Sequence, residues 1–352
     1  MTSTSSWAGT APLSTPDRLT VGGIPLAVFG LPALSVPASS SSGLAVLFLL
    51  HGRGEDSQIA YITQLATKLV ESARDKRAQV SPIGAAGTAA KTAKRAKDLL
   101  VVTFDQRNHG HRLVDPERNM SWMEAGRKRA KVRQEKGMAA HDLDNENHAY
   151  DMFAMQTGTA RDVSFLIDFL APSLFRHDER TITDWYCAGI SLGGHATWLA
   201  LAHDPRITLG VPIIGSPSTF ELLSHRARNL PPPAGPLPLS APFFPRSLLT
   251  AFDKLDPASP SLSLERWEGK QILVLSGEED QLVHFVHGKS GEFVERLKGE
   301  VPSCHVEAWV QPETGHVCSV EMMDRACDFV WTRGLNIDTG AGGKAQSAAG
   351  KL

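Results

Sequence analysis

The chain has 352 residues, 42% of them hydrophobic and 21% charged, the make-up of a globular protein large enough to bury one substantial core. Its 36 Lys and Arg against 38 Asp and Glu leave a formal charge of -2, so no whole-chain field draws in nucleic acid or an anionic membrane surface. No apolar run approaches the roughly eighteen residues that span a bilayer as a helix, which excludes an integral helical membrane protein.

Residues 1–17 have neither the charged start and apolar core of a secretory signal nor an Arg-rich amphipathic pattern, and read as a disordered leader. RLTVGGIPLAVFGL (18–31) reads as a hairpin and SSSSG as a flexible turn. GLAVLFLL is then a fully apolar strand that ends at Leu50 and runs straight into His51, Gly52, Arg53 and Gly54. Ile59, Ile62, Leu65, Ala66 and Leu69 recur at helical spacing between Gln58 and Arg74. The basic, alanine-rich AAKTAKRAKD that follows reads as a solvated surface insertion leading to the strand LLVVTF (99–104).

After Asp105, Gln106, Arg107, Asn108, His109 and Gly110 comes a long polar segment, in which GRKRAKVRQEK (126–136) reads as a solvated helix face. A helix from Ala149 to Leu170 follows, with Phe153, Val163, Leu166, Ile167 and Leu170 as its apolar ladder. ITDWYCAGI is the next strand, then Ser191, a helix from Gly193 to His203, and the strand ITLGVPIIG. Residues 217–262 contain NLPPPAGPLPLSAPFFP, which excludes a regular helix or a central strand across that stretch. QILVLSG (271–277), a helix around Phe285 to Leu297, HVEAWV (305–310) and a helix from Val320 to Trp331 complete the order, and 336–352 read as a disordered tail.

Apolar runs alternating with helical stretches are the pattern of one α/β domain, here 18–335, whose parallel sheet is covered on both faces. Cys187, Cys304, Cys318 and Cys327 form no disulfide framework and no zinc-type spacing. Reduced thiols, a cytoplasmic location, no metal and no cofactor are therefore expected.

Gly189-Ile190-Ser191-Leu192-Gly193 is a Gly-x-Ser-x-Gly pentapeptide between a strand and a helix, the context that makes it a nucleophile elbow. The glycines at 189 and 193 are required because side chains there would collide with the opposing backbone of the turn. A serine hydroxyl needs a base, and the base needs an acid to hold its tautomer. Asp280, in GEEDQLV after one strand, and His316, in QPETGH after the next, supply them in the chain order Ser, Asp, His. Glu278 and Glu279 compete with Asp280 as the acid, while His195, His203, His284 and His287 lie on helices where packing or solvation suits them better. The oxyanion of acyl transfer needs backbone N–H donors. Leu192 supplies one, and Arg53, with Gly54 as the alternative, the other. The Arg53 side chain is expected to pair with Glu55, Asp56 or Asp105.

The sequence resembles the α/β-hydrolase superfamily, of serine esterase and thioesterase type, across roughly residues 20–333. LLHGRG (49–54), DQRNHGHR (105–112), GISLGG (189–194), GEEDQLV (277–283) and TGH (314–316) carry the resemblance. It implies an α/β-hydrolase fold with a central eight-stranded, mostly parallel sheet flanked by helices, with Ser191 as nucleophile, His316 as base and Asp280 as acid. It also implies a structural network of Asp105, Arg107 and His109 beneath the site. Arg53 stands where the HGGG form of the first oxyanion loop has glycine. Residues 111–150 and 217–262 read as cap-like insertions over the serine, in which Met120, Trp122, Met123, Phe243, Phe244, Leu248 and Leu249 either line a pocket or pack the cap.

The expected function is hydrolysis of a small-molecule ester or thioester through an acyl-enzyme. A catalytically silent binding protein is the alternative, and peptidase, lipase and carbon-carbon bond hydrolase readings use the same triad. A serine at 191 argues against the epoxide hydrolases and haloalkane dehalogenases of this superfamily, which place an aspartate there. A small molecule is the expected partner, with no nucleic acid and no membrane, and the oligomeric state is left open.

Overall fold

The computed structural model describes residues 15–34, 43–80, 96–124, 127–139 and 142–336. The leader, the SSSSG turn, the alanine-rich linker and the tail lie almost wholly outside these residues.

Side chains alternate across a strand, so an unbroken apolar run serves two cores at once. In β3 (Leu44–Leu50), Leu44, Val46, Phe48 and Leu50 enter the core on one face, while Ala45, Leu47 and Leu49 enter that on the other. This strand lies inside an eight-stranded sheet ordered β1-β2-β4-β3-β5-β6-β7-β8. The others are β1 (Asp17–Val21), β2 (Ile24–Phe29), β4 (Asp98–Phe104), β5 (Ile182–Ile190), β6 (Ile207–Ile213), β7 (Gln271–Gly277) and β8 (His305–Gln311). The opening hairpin pairs antiparallel, β2 meets β4 antiparallel, and every other pairing is parallel.

α1 (Ala60–Val80) and α8 (Val320–Phe329) cover one face with Ile62, Leu65, Leu69, Met322 and Met323. α3 (His148–Leu174), α4 (Leu192–His203) and α7 (Ser290–Glu300) cover the other. The chain leaves β3 toward β4 on one side and returns to β5 on the other. The ends of β3 and β5 therefore flank a switch point, where an open parallel sheet has a crevice for a ligand.

Three local differences from the sequence reading have identifiable causes. The segment 229–245 is irregular, as its prolines require, yet 217–262 also holds α5 (Thr219–Arg228) and α6 (Arg246–Leu255) on either side of it. α5 starts where Ser218 caps the N–H of Glu221 at 3.2 Å. The helix after β7 starts at Ser290 rather than near Phe285, because Lys289 adopts φ 53° and ψ 25° and a left-handed residue cannot sit inside a right-handed helix. His284 and His287 accordingly occupy a turn, their rings 4.1 Å apart.

The basic helix α2 (Arg127–Glu135) is not wholly solvated. Arg129 and Arg133 both reach one oxygen of the buried Asp144 at 2.7 Å, which docks the helix. Among the described residues no helix is long and apolar enough to cross a membrane, and the four cysteines are free and buried.

Candidate active site

β5 delivers Ser191 at its C-terminal end with φ 56° and ψ -111°, a conformation that costs a non-glycine residue on the order of 1–3 kcal/mol. The surroundings hold it there. Ser191 N–H donates to Ile213 O at 2.9 Å, and His195 N–H donates back to Ser191 O at 3.0 Å as α4 begins. Gly193 N–H donates to His51 O at 3.0 Å, which ties the start of α4 to the end of β3.

β7 and β8 bring the other two residues to the same sheet edge. Glu278 N–H donates to Gln311 O and Glu279 N–H to Thr314 O, each at 2.9 Å, which ties the two loops together. His316 Nδ1 lies 2.8 Å from Asp280 Oδ2, and its Nε2 lies 2.9 Å from Ser191 Oγ. With the imidazole proton on Nδ1, His316 donates to the carboxylate and Nε2 is free to accept from the serine hydroxyl. Asp280 is fully buried, and its other oxygen accepts the N–H groups of Leu282 and Val283, each at 2.8 Å. Burial raises its pKa, but the His316 contact and these N–H groups outweigh burial and hold it below the ordinary value. Glu278 and Glu279, the competing acids, are exposed.

His195 is buried with Nδ1 against the backbone of Ser216, and burial lowers its pKa to about 4. His203 Nε2 meets Leu255 O at 2.7 Å. These two pack, as their place on α4 suggested.

The loop after β3 sorts its own N–H groups. Gly52 N–H donates to Glu55 Oε2 at 3.1 Å and to Tyr61 Oη at 3.0 Å, and so is used. Among the described residues, the N–H groups of Arg53 and Leu192 meet no partner, and both residues line a cavity of about 260 Å³ with Ser191. Gly54, at φ 76°, lines neither this cavity nor the neighbouring one. The Arg53 side chain does not pair with Glu55, Asp56 or Asp105. It reaches across to the first insertion, donating to Asn119 O and to Glu124 Oε2, the latter at 3.1 Å. Nothing in the local sequence spacing marks that partner.

Both insertions reach the serine, through Met123 and Glu124 in one and through Thr219, Leu222, Leu223 and Arg226 of α5 in the other. Of the seven apolar residues considered for a pocket, only Met123 lines this one. Trp122 instead packs in the core, its ring 6.0 Å from that of Phe244, and so joins the two insertions. Asp256 anchors α5 by accepting the N–H groups of Thr219 and Phe220 at 2.9 Å, and burial pushes its carboxyl up to about 7. A second cavity of about 320 Å³ shares Arg53, Ser191 and Leu282 with the first and is lined further by His316, Tyr61, Ile214 and Val317. A larger one of about 590 Å³, beside Asp256 and Phe293, holds none of the three residues of the relay.

Beneath the site, His51 Nε2 accepts Gln106 N–H at 3.0 Å, and Arg107 forks onto Asp162 at 2.9 and 3.1 Å. Asp105 accepts the N–H groups of Ser57 and His111 at 2.8 and 2.7 Å. Burial works against the Asp105 charge, yet these bonds lower its pKa from 3.8 to about 2. A depressed carboxylate contributes stability that is complete above its unfolded pKa and disappears as the pH falls through the folded one. Asp105 should therefore contribute about 2 kcal/mol near neutrality, lost between about pH 4 and pH 2. We expect Asp105→Asn to lower the urea midpoint at pH 7, and the gap from wild type to narrow as both are titrated toward pH 2. A gap that stays constant with pH would contradict this account.

The sequence matches no family model and no curated protein. The structure is similar to that of TT1662 from Thermus thermophilus, with 17% identity, a TM-score of 0.54, and coverage of 90% of this chain and 95% of that one. It is also similar to the acylaminoacyl peptidase of Pyrococcus horikoshii, with 13% identity and a TM-score of 0.50. That match covers 90% of this chain, which spans only 41% of the peptidase. The sheet order, the strand-to-helix turn that carries Ser191 and these structural likenesses agree: the chain has the α/β-hydrolase fold.

Proposed function

We propose that this protein is a serine hydrolase that cleaves a small-molecule carboxylic ester or thioester through an acyl-enzyme. The observation that carries the reading is the relay from Ser191 Oγ to His316 Nε2 at 2.9 Å and from His316 Nδ1 to the buried Asp280 at 2.8 Å. In this reading Ser191 Oγ attacks the carbonyl carbon as its proton passes to His316 Nε2. The N–H groups of Leu192 and Arg53 receive the oxyanion, and Asp280 offsets the charge gained by the imidazole. The alcohol or thiol then leaves with the proton from His316. A water deprotonated by the same nitrogen attacks the acyl-enzyme, and collapse of the second intermediate returns the acid and the free serine.

Fluorophosphonate labelling at Ser191, followed by a panel of p-nitrophenyl esters, a thioester and an N-acyl amino acid p-nitroanilide, tests the class and ranks the bond cleaved. No labelling and no turnover would sink the proposal. Asp280→Asn should keep the fold and lower kcat/KM on the order of a thousand- to ten-thousandfold, because the acid sets the tautomer without touching substrate. If Asp280→Asn is neutral while Glu279→Gln is damaging, the acid lies elsewhere.

A further inference from the structure

The cavity of about 260 Å³ beside Ser191 has a mixed wall, apolar at Met152, Leu222, Leu223 and Val283 and polar at Gln156 and Thr219, and two guanidinium groups also line it. Arg53 is compensated by Glu124, which lines the same space. Arg226 is not. Among the described residues no carboxylate pairs with it, and its one hydrogen bond runs from Nη2 to Leu282 O. Its Nε is buried without a partner. A guanidinium has five N–H donors in a fixed fork, and a half-satisfied buried cation is costly unless an anion completes it. Burial, with Arg53 nearby, pushes Arg226 down to about 10 against the opposing field of the Asp280 carboxylate, which does not pair with it, so it still carries its charge at neutral pH.

The two cavities differ in which catalytic group they contain. His316 must hand its proton to the leaving group, so the leaving group occupies the side that His316 lines, and the acyl group occupies the side that Arg226 lines. We infer that Arg226 binds a carboxylate at the far end of the acyl group, so that the substrate is a monoester or monothioester of a dicarboxylic acid. A planar carboxylate matches the fork of one guanidinium, whereas a phosphate dianion calls for more cation than this cavity holds uncompensated. The inference rests on the serine-hydrolase reading for the assignment of sides.

The test compares monophenyl esters of glutaric, adipic and suberic acid with phenyl esters of the corresponding monoamides, which are neutral and nearly isosteric. Wild type should favour the acid by tenfold or more in kcat/KM at one chain length at least, mainly through KM. Arg226→Gln should bring that ratio close to one and Arg226→Lys should keep part of it, since a lysine retains the charge without the fork. A purely structural Arg226 would lower both members of a pair together and leave the ratio alone. A wild-type ratio of one at all three lengths, or a ratio unchanged by Arg226→Gln, would overturn the inference. Calorimetric binding of glutarate, adipate and suberate to Ser191→Ala protein, lost in the Ser191→Ala, Arg226→Gln double variant, reads the same contact without turnover. If none of the three binds, the inference fails on that ground as well. Fluorophosphonate labelling separates the two claims. Labelled Ser191 without an anion preference refutes only the inference, whereas dicarboxylate binding with neither labelling nor turnover refutes the hydrolase reading and the assignment to an acyl group, and leaves only the carboxylate contact of Arg226.

Discussion

Ser191→Ala and His316→Ala should each lower kcat/KM on the best ester by a factor on the order of 10^5 to 10^6, and the double variant should be within about threefold of either. In the proposed mechanism the two residues perform one act. Without the imidazole the hydroxyl is not deprotonated, and without the hydroxyl the imidazole has nothing to activate. The 2.9 Å contact between them is the physical basis of that coupling. Multiplicative losses would show that Ser191 and His316 serve separate steps, and fluorophosphonate labelling that survives in Ser191→Ala would show that the nucleophile is another residue.

Gly193→Ala should destabilise the protein by at least about 3 kcal/mol, at or beyond the top of the usual overpacking range, and should abolish labelling of Ser191. A Cβ at 193 would sit 2.4 Å from Leu50 O and 2.6 Å from its carbonyl carbon. Both are backbone atoms of a strand buried in mid-sheet, so no side chain can swing away. The same approach holds Gly193 N–H on His51 O, and moving it displaces the turn that carries Ser191 and Leu192. Gly54→Ala is the contrasting variant. Gly54 has φ 76° but no atom within 4 Å of the added carbon, so only the backbone conformation opposes it, at roughly 1–2 kcal/mol. Urea unfolding of the two variants checks the ordering. A Gly193→Ala protein as stable as Gly54→Ala would mean that α4 does not press on β3 as described.

The parts of this molecule that were legible in its sequence share one property: each is specified by residues close together in the chain. Val46 and Leu47 face opposite cores because a strand alternates. The strand-to-helix turn at Ser191 shows itself through two glycines flanking one serine, and Asp280 and His316 stand out because each follows an apolar strand whose end a parallel sheet places at one edge. The helix after β7 starts five residues later than its apolar periodicity indicates, because periodicity does not register the left-handed backbone of Lys289. The insertions were recognisable by composition as breaks in the pattern, though α5 and α6 within the second were not, since its prolines dominate the reading.

What this sequence determined by itself is the class of sheet, the strand-to-helix turn and the order of the three candidate groups, because periodicity and local sterics act over a few residues. Only the tertiary structure decided that Arg53 answers Glu124 and that Arg129 and Arg133 converge on Asp144. It alone also placed Arg226 against the cavity beside Ser191, with no carboxylate paired to it among the described residues. Charge pairing depends on distance in space, not on separation along the chain. A guanidinium at position 226 acquires its meaning when α5, held at its start by Asp256, lays it beside a serine thirty-five positions earlier.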